Sequence, residues 1–184
     1  AGVVVVGRAS DGTSYVLADG SLHGTPDEWG RQAVRLYDQF EANQIVGEVN
    51  NGGDMVGFTV RECAKALHRD GERETSAVPY VPVRASRGKL TRAEPVSALY
   101  TQGRVKHVGV YPELEDQLTS WLPGEQSPDR LDALVWALTS LVIYSGDDIE
   151  TWGGADTASE SSEHVRDVVK HEGSWFPSGV SSRW

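Results

Sequence analysis

The chain has 184 residues, the length of one domain with a small extension, and 39% hydrophobic and 24% charged residues are typical of a soluble globular protein. Its single cysteine, Cys63, excludes a disulfide framework and a cysteine-based zinc cluster. No apolar run reaches the ~20 residues of a membrane helix, and the first residues lack a secretory signal pattern. The sequence therefore predicts a cytoplasmic protein without a membrane partner.

The net charge of −10 argues against nucleic-acid binding by the chain as a whole, but the charges are unevenly distributed. Residues 84–107 carry one acid, Glu94, and six bases, namely Arg84, Arg87, Lys89, Arg92, Arg104 and Lys106. Two interpretations of this basic segment remain open. It is either a solvated charged surface or a local patch that binds phosphates.

Strands and helices are predicted to alternate along the chain after an initial hairpin around Asp11-Gly12. Two capping boxes mark helix starts, one at Thr25 and Glu28 and one at Thr91 and Glu94. In chain order the predicted elements are strands 3–6 and 15–18, helix 26–41, strand 44–49, a helix opened by Gly52-Gly53, strand 78–83, a helix from Thr91 to Gly103, strand 105–110, helix 112–121 and a helix starting at Ser127-Pro128. This order predicts a mixed α/β sheet with helices packed on it.

The composition changes at Gly146, where serine, glycine and acidic residues become dominant. Such a composition buries little apolar surface, so residues 146–184 are predicted to form an acidic, mostly flexible extension. Residues 1–145 are the predicted domain.

Three carboxylates are candidates for chemistry. Glu48 is the only charged residue in a predicted buried strand, near the carboxyl end, where α/β sheets collect their sites. Asp129 and Asp132 have i, i+3 spacing and lie on one side of the last helix's first turn. Structural interpretations stay open, because Glu48 can face solvent and acids are favoured at helix N-termini. If the three converge, their oxygens suit Mg²⁺ or Mn²⁺.

Four sequence segments carry a more specific signal when their order and spacing are considered together. They are IVGEVNNGGDMV (45–56), VRASRGK (83–89), RAEPV (92–96) and SPDRLDALVWAL (127–138). In this arrangement the chain resembles the C-terminal nuclease domain of the large terminase subunit of tailed phages and prophages. The resemblance covers residues 1–145.

The resemblance implies an RNase H-like fold, with a mixed sheet flanked by helices, and a metal-dependent endonuclease that cuts concatemeric double-stranded DNA during genome packaging in the bacterial cytoplasm. In that family a carboxylate triad holds two divalent ions. Glu48 matches the second acid and Asp129 the third, while Asp132 either binds metal or orients Asp129. The resemblance also assigns phosphate contacts to Arg87, Lys89 and Arg92, and close backbone approach to Gly52 and Gly53.

The family's first acid lies on a strand that would precede Ala1, so the expectation is that this chain alone cuts DNA poorly. The implied partners are double-stranded DNA, an ATPase domain on the same longer chain, the small terminase subunit and the portal. Two alternatives remain: a catalytically incomplete DNA-binding or docking module of the packaging machinery, and another RNase H-like nuclease such as a resolvase. The pattern Glu48-x-Asn50-x-Gly52-Gly53 argues against the second.

Overall fold

The computed structural model describes residues 1–49, 54–85, 89–122, 125–126 and 128–143, all within one unit of the chain, Ala1–Trp152. The predicted extension at 146–184 lies outside these residues. None of the helices in the described ranges combines the length and hydropathy of a membrane span.

The structure has five strands and five α-helices in the described part of the chain, in the order that the sequence predicts. They are β1 (Val4–Arg8), β2 (Ser14–Asp19), α1 (Pro26–Gln39), β3 (Ile45–Glu48), α2 (Met55–Arg69), β4 (Tyr80–Val83), α3 (Lys89–Thr101), β5 (Val105–His107), α4 (Pro112–Ser120) and α5 (Asp129–Leu138). A π-helical turn, Thr139–Ile143, follows α5 directly.

The strands form two sheets rather than the single sheet expected from the alternation. In the first, β2 pairs antiparallel with β1 and parallel with β5. In the second, β3 pairs parallel with β4, so Glu48 lies opposite Val83 at the carboxyl end of β3. Helix α5 contacts both β1 and β3 and thereby connects the two sheets.

Two apolar clusters form the core. The larger one joins the first sheet to α3, α4 and α5, and its buried residues are Val16, Val96, Leu99, Val105, Leu114, Leu131, Leu134, Val135 and Leu138. The smaller one lies between α1 and α2 and contains Val34, Val60, Cys63, Ala64 and Leu67. Glycine at position 30 permits the close approach of these helices, because a Cβ there would come within 2.7 Å of the Cys63 sulfur.

The capping box of α1 is confirmed in both directions. The Thr25 backbone N–H donates to Glu28 Oε2 at 2.7 Å, and the Glu28 N–H donates to Thr25 Oγ1 at 3.4 Å. The bond from Thr25 lowers the pKa of Glu28 below its usual value. The sequence therefore identifies the start of α1 correctly.

The predicted capping box at Thr91 and Glu94 is wrong, because α3 already includes Lys89 and places Thr91 inside the helix. Pro95 is consequently an interior residue, which leaves the Thr91 carbonyl without its helical N–H donor. The guanidinium of Arg92, also on this helix, packs on Trp136 of α5. The start of α3 is therefore not set by the local capping signal.

Candidate active site

Glu48 is the last residue of β3, and its side chain is 31% exposed. The following residue, Val49, is buried and donates its backbone N–H to the Val83 carbonyl, which keeps the end of the strand paired with its neighbour. A cation faces the carboxylate: Arg92 Nη1 lies 3.9 Å from Glu48 Oε1. The side chain is therefore a partly buried acid with a counter-charge.

Arg92 projects from α3 into the protein, with only 11% of its side chain exposed. The guanidinium carbon lies 4.5 Å from the centre of the Trp136 ring, within the range of a cation–π interaction. Trp136 is itself buried at 6% exposure. Within the described ranges, Arg92 Nε and Nη1 are buried and have no hydrogen-bond partner, so electrostatic attraction and ring stacking hold this guanidinium.

One face of α5 carries both candidate aspartates and the tryptophan. Asp129, Asp132 and Trp136 follow one another at i, i+3 and i+7, the spacing that puts side chains on the same side of a helix. Asp129 is exposed and Asp132 is half-buried. Since Arg92 connects Trp136 to Glu48, the carboxyl end of β3 and this face of α5 belong to one region of the molecule.

The first turn of α5 is fixed by Arg130. Its Nε donates to Asp19 Oδ2 at 2.8 Å, its guanidinium pairs with Glu113 of α4, and its backbone N–H donates to Gln117 Oε1 at 3.1 Å. These contacts attach the turn that carries Asp129 and Asp132 to the end of β2 and to α4. The backbone that carries both aspartates is therefore held in place by Arg130.

The chain before β1 also packs tightly on this turn. A Cβ at Gly2 would overlap the backbone carbonyl of Asp129, so only glycine fits this approach. The Ala1 amino group lies 3.2 Å from Asp129 Oδ2. The segment before β1 and the first turn of α5 are therefore in direct contact.

The donor set at this region is suited to a hard divalent cation, because carboxylate oxygens are the ligands that such cations prefer. Among the described residues, however, no group of three or more His, Cys, Asp or Glu side chains is arranged to hold a metal ion. Glu48 and the α5 aspartates therefore supply the type of ligand atom that such a cation prefers. The described residues alone do not provide a complete set of ligands.

The basic segment, residues 84–107, contains both exposed and largely buried bases. Arg84, Arg104 and Lys106 are exposed, whereas Arg92 is largely buried. Arg87, Gly52 and Gly53 lie outside the described residues, as does the side chain of Lys89. Phosphate contact by Arg87, Lys89 and Arg92, and backbone approach at the two glycines, stay predictions.

Two residues of this region were not singled out by sequence reasoning. Trp136 belongs to the SPDRLDALVWAL segment, and its spacing of four from Asp132 is the signal that could have placed it beside the acids. Arg130 sits between the two aspartates, and nothing in the sequence identifies Asp19, 111 positions away, as its partner.

Glu48 at the end of β3 and the two aspartates at the start of α5 thus lie on elements that contact each other. A family model described as the terminase RNaseH-like domain matches residues 1–141. The chain belongs to this family: it is a terminase RNaseH-like domain of nuclease type, and both the predicted family and the predicted RNase H-like fold are confirmed.

Among solved structures, the chain is similar to the crystal structure of the yeast mitochondrial Holliday junction resolvase Ydc2. The TM-score is 0.43 and the sequence identity is 12%, over 73% of this chain and 71% of the resolvase chain. The search of curated proteins gives no match.

Proposed function

We propose that this domain is a metal-dependent endonuclease that hydrolyses phosphodiester bonds of double-stranded DNA. Within a terminase large subunit it would cut concatemeric DNA during phage genome packaging, together with an ATPase domain, the small subunit and the portal. The observation that carries the proposal is the connection of Glu48, through Arg92 and Trp136, to the face of α5 that bears Asp129 and Asp132. Membership of the terminase family supports it.

In this proposal Glu48 and Asp129 are ligands of Mg²⁺ or Mn²⁺, and Asp132 either completes the coordination or orients Asp129. When bound, such ions supply the positive charge that phosphodiester displacement requires. Arg130 keeps the first turn of α5 in place through Asp19 and Glu113.

In this proposal the basic segment contacts the DNA, with Arg87 and Lys89 binding phosphates. Gly52 and Gly53, which lie outside that segment, allow the backbone to approach the DNA closely. Phosphate contacts position DNA without reading its sequence, which suits an enzyme that must cut many sequences. Affinity from this source decreases steeply with salt.

A second candidate function is a DNA-binding or docking module without cutting activity. It is favoured by one observation: the described residues do not gather three potential metal ligands. The two candidates agree on DNA as the partner and differ only in hydrolysis.

The test is cleavage of supercoiled plasmid DNA with Mg²⁺ or Mn²⁺, run on agarose gels with an EDTA control. The 184-residue chain and a version extended upstream are assayed side by side, and nicking and linearisation of the plasmid by either one would support the proposal. In the extended version Glu48→Ala and Asp129→Ala should abolish cutting, and Asp132→Ala should reduce it less if Asp132 only orients Asp129.

The matched control is Asp116→Ala, which removes an exposed carboxylate from α4 and should cut at the wild-type rate. DNA binding by Glu48→Ala should remain, measured in EDTA. Full activity of the extended Glu48→Ala variant would overturn the assignment of the site. Tight DNA binding without cutting by the extended wild type would favour the docking module.

A further inference from the structure

We propose that Arg92 is the positioning residue of Glu48, and that it works from inside the protein rather than at the DNA surface. Its guanidinium, stacked on Trp136, holds the Glu48 carboxylate at the end of β3 by opposite charge. The inference rests on the proposed function only in placing Glu48 at the reacting centre. The Glu48–Arg92–Trp136 contact itself is geometric.

The Glu48 carboxylate is in an environment that requires a cation. About two thirds of the Glu48 side chain is shielded, and a shielded carboxylate is costly unless a cation faces it. Arg92 is that cation, with Nη1 at 3.9 Å from Oε1. A movement of about 1 Å would bring the two atoms to hydrogen-bond distance, for which Arg92 has buried donors available.

Arg92 is itself held in place by Trp136. The cation–π contact holds the guanidinium over the Trp136 ring, and Trp136 is anchored in α5 two turns after Asp129. The contact therefore links three elements: β3 with Glu48, α3 with Arg92, and the helix that carries the aspartates. A shift of Arg92 would change the position of Glu48 relative to the α5 face.

Arg92 differs from the other bases of its segment in how little of it is exposed. Three other bases of the segment are exposed, namely Arg84, Arg104 and Lys106. The Arg92 side chain, in contrast, is only 11% exposed. A phosphate ligand needs N–H groups that reach the solvent side, and two of the Arg92 nitrogens are buried. Arg92 is therefore suited to hold an internal carboxylate.

The test is a double-mutant cycle on the full 184-residue chain, with Arg92→Met, Glu48→Gln and the double variant compared by the urea midpoint of unfolding without divalent ions. We expect the midpoint shift caused by Arg92→Met to fall to less than half in the Glu48→Gln background. Arg104→Met removes an exposed arginine of the same segment and should shift the midpoint equally in both backgrounds. Should Arg92→Met fail to fold, Arg92→Gln, which keeps a planar polar group beside Trp136 but removes the charge, replaces it in the cycle.

Equal shifts for Arg92→Met in both backgrounds would show that the arginine only packs on Trp136, and would overturn the proposal. So would a decrease of about one unit in the salt slope of DNA binding by Arg92→Met, which is the signature of a lost phosphate contact. We expect that slope to stay at the wild-type value.

Repeating the cycle with saturating Mn²⁺ separates this inference from the proposed function. If Glu48 is a metal ligand, the ion competes with Arg92 for its charge and the non-additivity should shrink. Non-additivity that is unchanged by Mn²⁺ would contradict the metal assignment of Glu48 while leaving its positioning by Arg92 intact.

Discussion

Asp19 and Arg130, 111 residues apart in the sequence, join the end of β2 to the first turn of α5 by a hydrogen bond of 2.8 Å. The Asp19 side chain is 9% exposed, and its other oxygen accepts the backbone N–H of Ser21. Both oxygens of this carboxylate are thus used within the fold. It fixes the helix that carries the candidate acids.

Removing the Arg130 cation from its pair with Asp19 should destabilise the fold. Arg130→Met leaves Asp19 shielded without its counter-charge, and we expect the free energy of unfolding to fall by about 2 kcal/mol, less than for a fully buried pair because Arg130 is partly exposed. Chemical denaturation measures the loss. The double variant Asp19→Leu/Arg130→Met should recover part of it, and a purely additive result would contradict the pairing.

DNA affinity should depend on the start of α3 and the residues before it. Replacing Arg87 and Lys89 together by alanine should lower the slope of log affinity against log salt by about two units, one for each lost phosphate contact. Fluorescence anisotropy on random duplexes measures this slope. Lys65→Ala, which removes an exposed cation of α2, should leave it unchanged. An unaltered slope for the Arg87/Lys89 variant would place the DNA surface elsewhere.

Acid should weaken the contact between β5 and α4 through Glu115. Its Oε1 accepts the Tyr111 backbone N–H and lies 3.1 Å from His107 Nδ1, and these bonds lower the pKa of Glu115. Because the pKa is lowered by folding, the ionised carboxylate stabilises the fold at any pH above its pKa in the unfolded chain, about 4.5. This stabilisation is lost as the pH falls through the lower pKa of the folded state.

Glu115→Gln should therefore be less stable than the wild type at pH 6, and the difference in urea midpoint should vanish towards pH 3. Glu94→Gln, which changes an exposed acid of α3, serves as the control and should differ little from wild type at either pH. A gap that stays constant between the two pH values would contradict the role given to the ionised carboxylate.

A methyl group at position 47 should disturb the strand next to Glu48. The Tyr80 ring covers Gly47, and a Cβ there would come within 2.5 Å of the phenol oxygen. Gly47→Ala should lower the free energy of unfolding by about 1–3 kcal/mol through overpacking, as measured in urea. In a Tyr80→Ala background the same substitution should cost much less; an equal cost there would exclude the clash as its cause.

Local patterns predicted the order of the elements because each pattern is complete within a few residues. The Thr25 capping box and the apolar stripe of α5 are examples: both depend on spacing along one helix, and both are present. The Thr91 box failed for the opposite reason. The helix already includes Lys89, so its start does not follow from the spacing of Thr91 and Glu94. That spacing also cannot reveal a partner such as Trp136, 44 residues downstream of Arg92.

The candidate site was predictable only in its residue types. Glu48, Asp129 and Asp132 could be chosen as acids in unusual positions, but the counter-charge that Arg92 places beside Glu48 is set by tertiary structure. The division into two sheets could not be predicted either, because the alternation of strands and helices identifies the strands but not which strands pair with each other. Charge counting likewise grouped Arg92 with exposed bases, because a segment average carries no information on burial.

The position of Cys63 between α1 and α2 makes this chain convenient for site-specific labelling. It is the only cysteine in the sequence, it is 4% exposed, and burial raises the pKa of its thiol, so little of the reactive thiolate forms near neutral pH. A new cysteine at an exposed position such as Arg104 would then be the one that a maleimide dye modifies. Such a dye would report the arrival of DNA at the basic segment without any need to remove the native thiol.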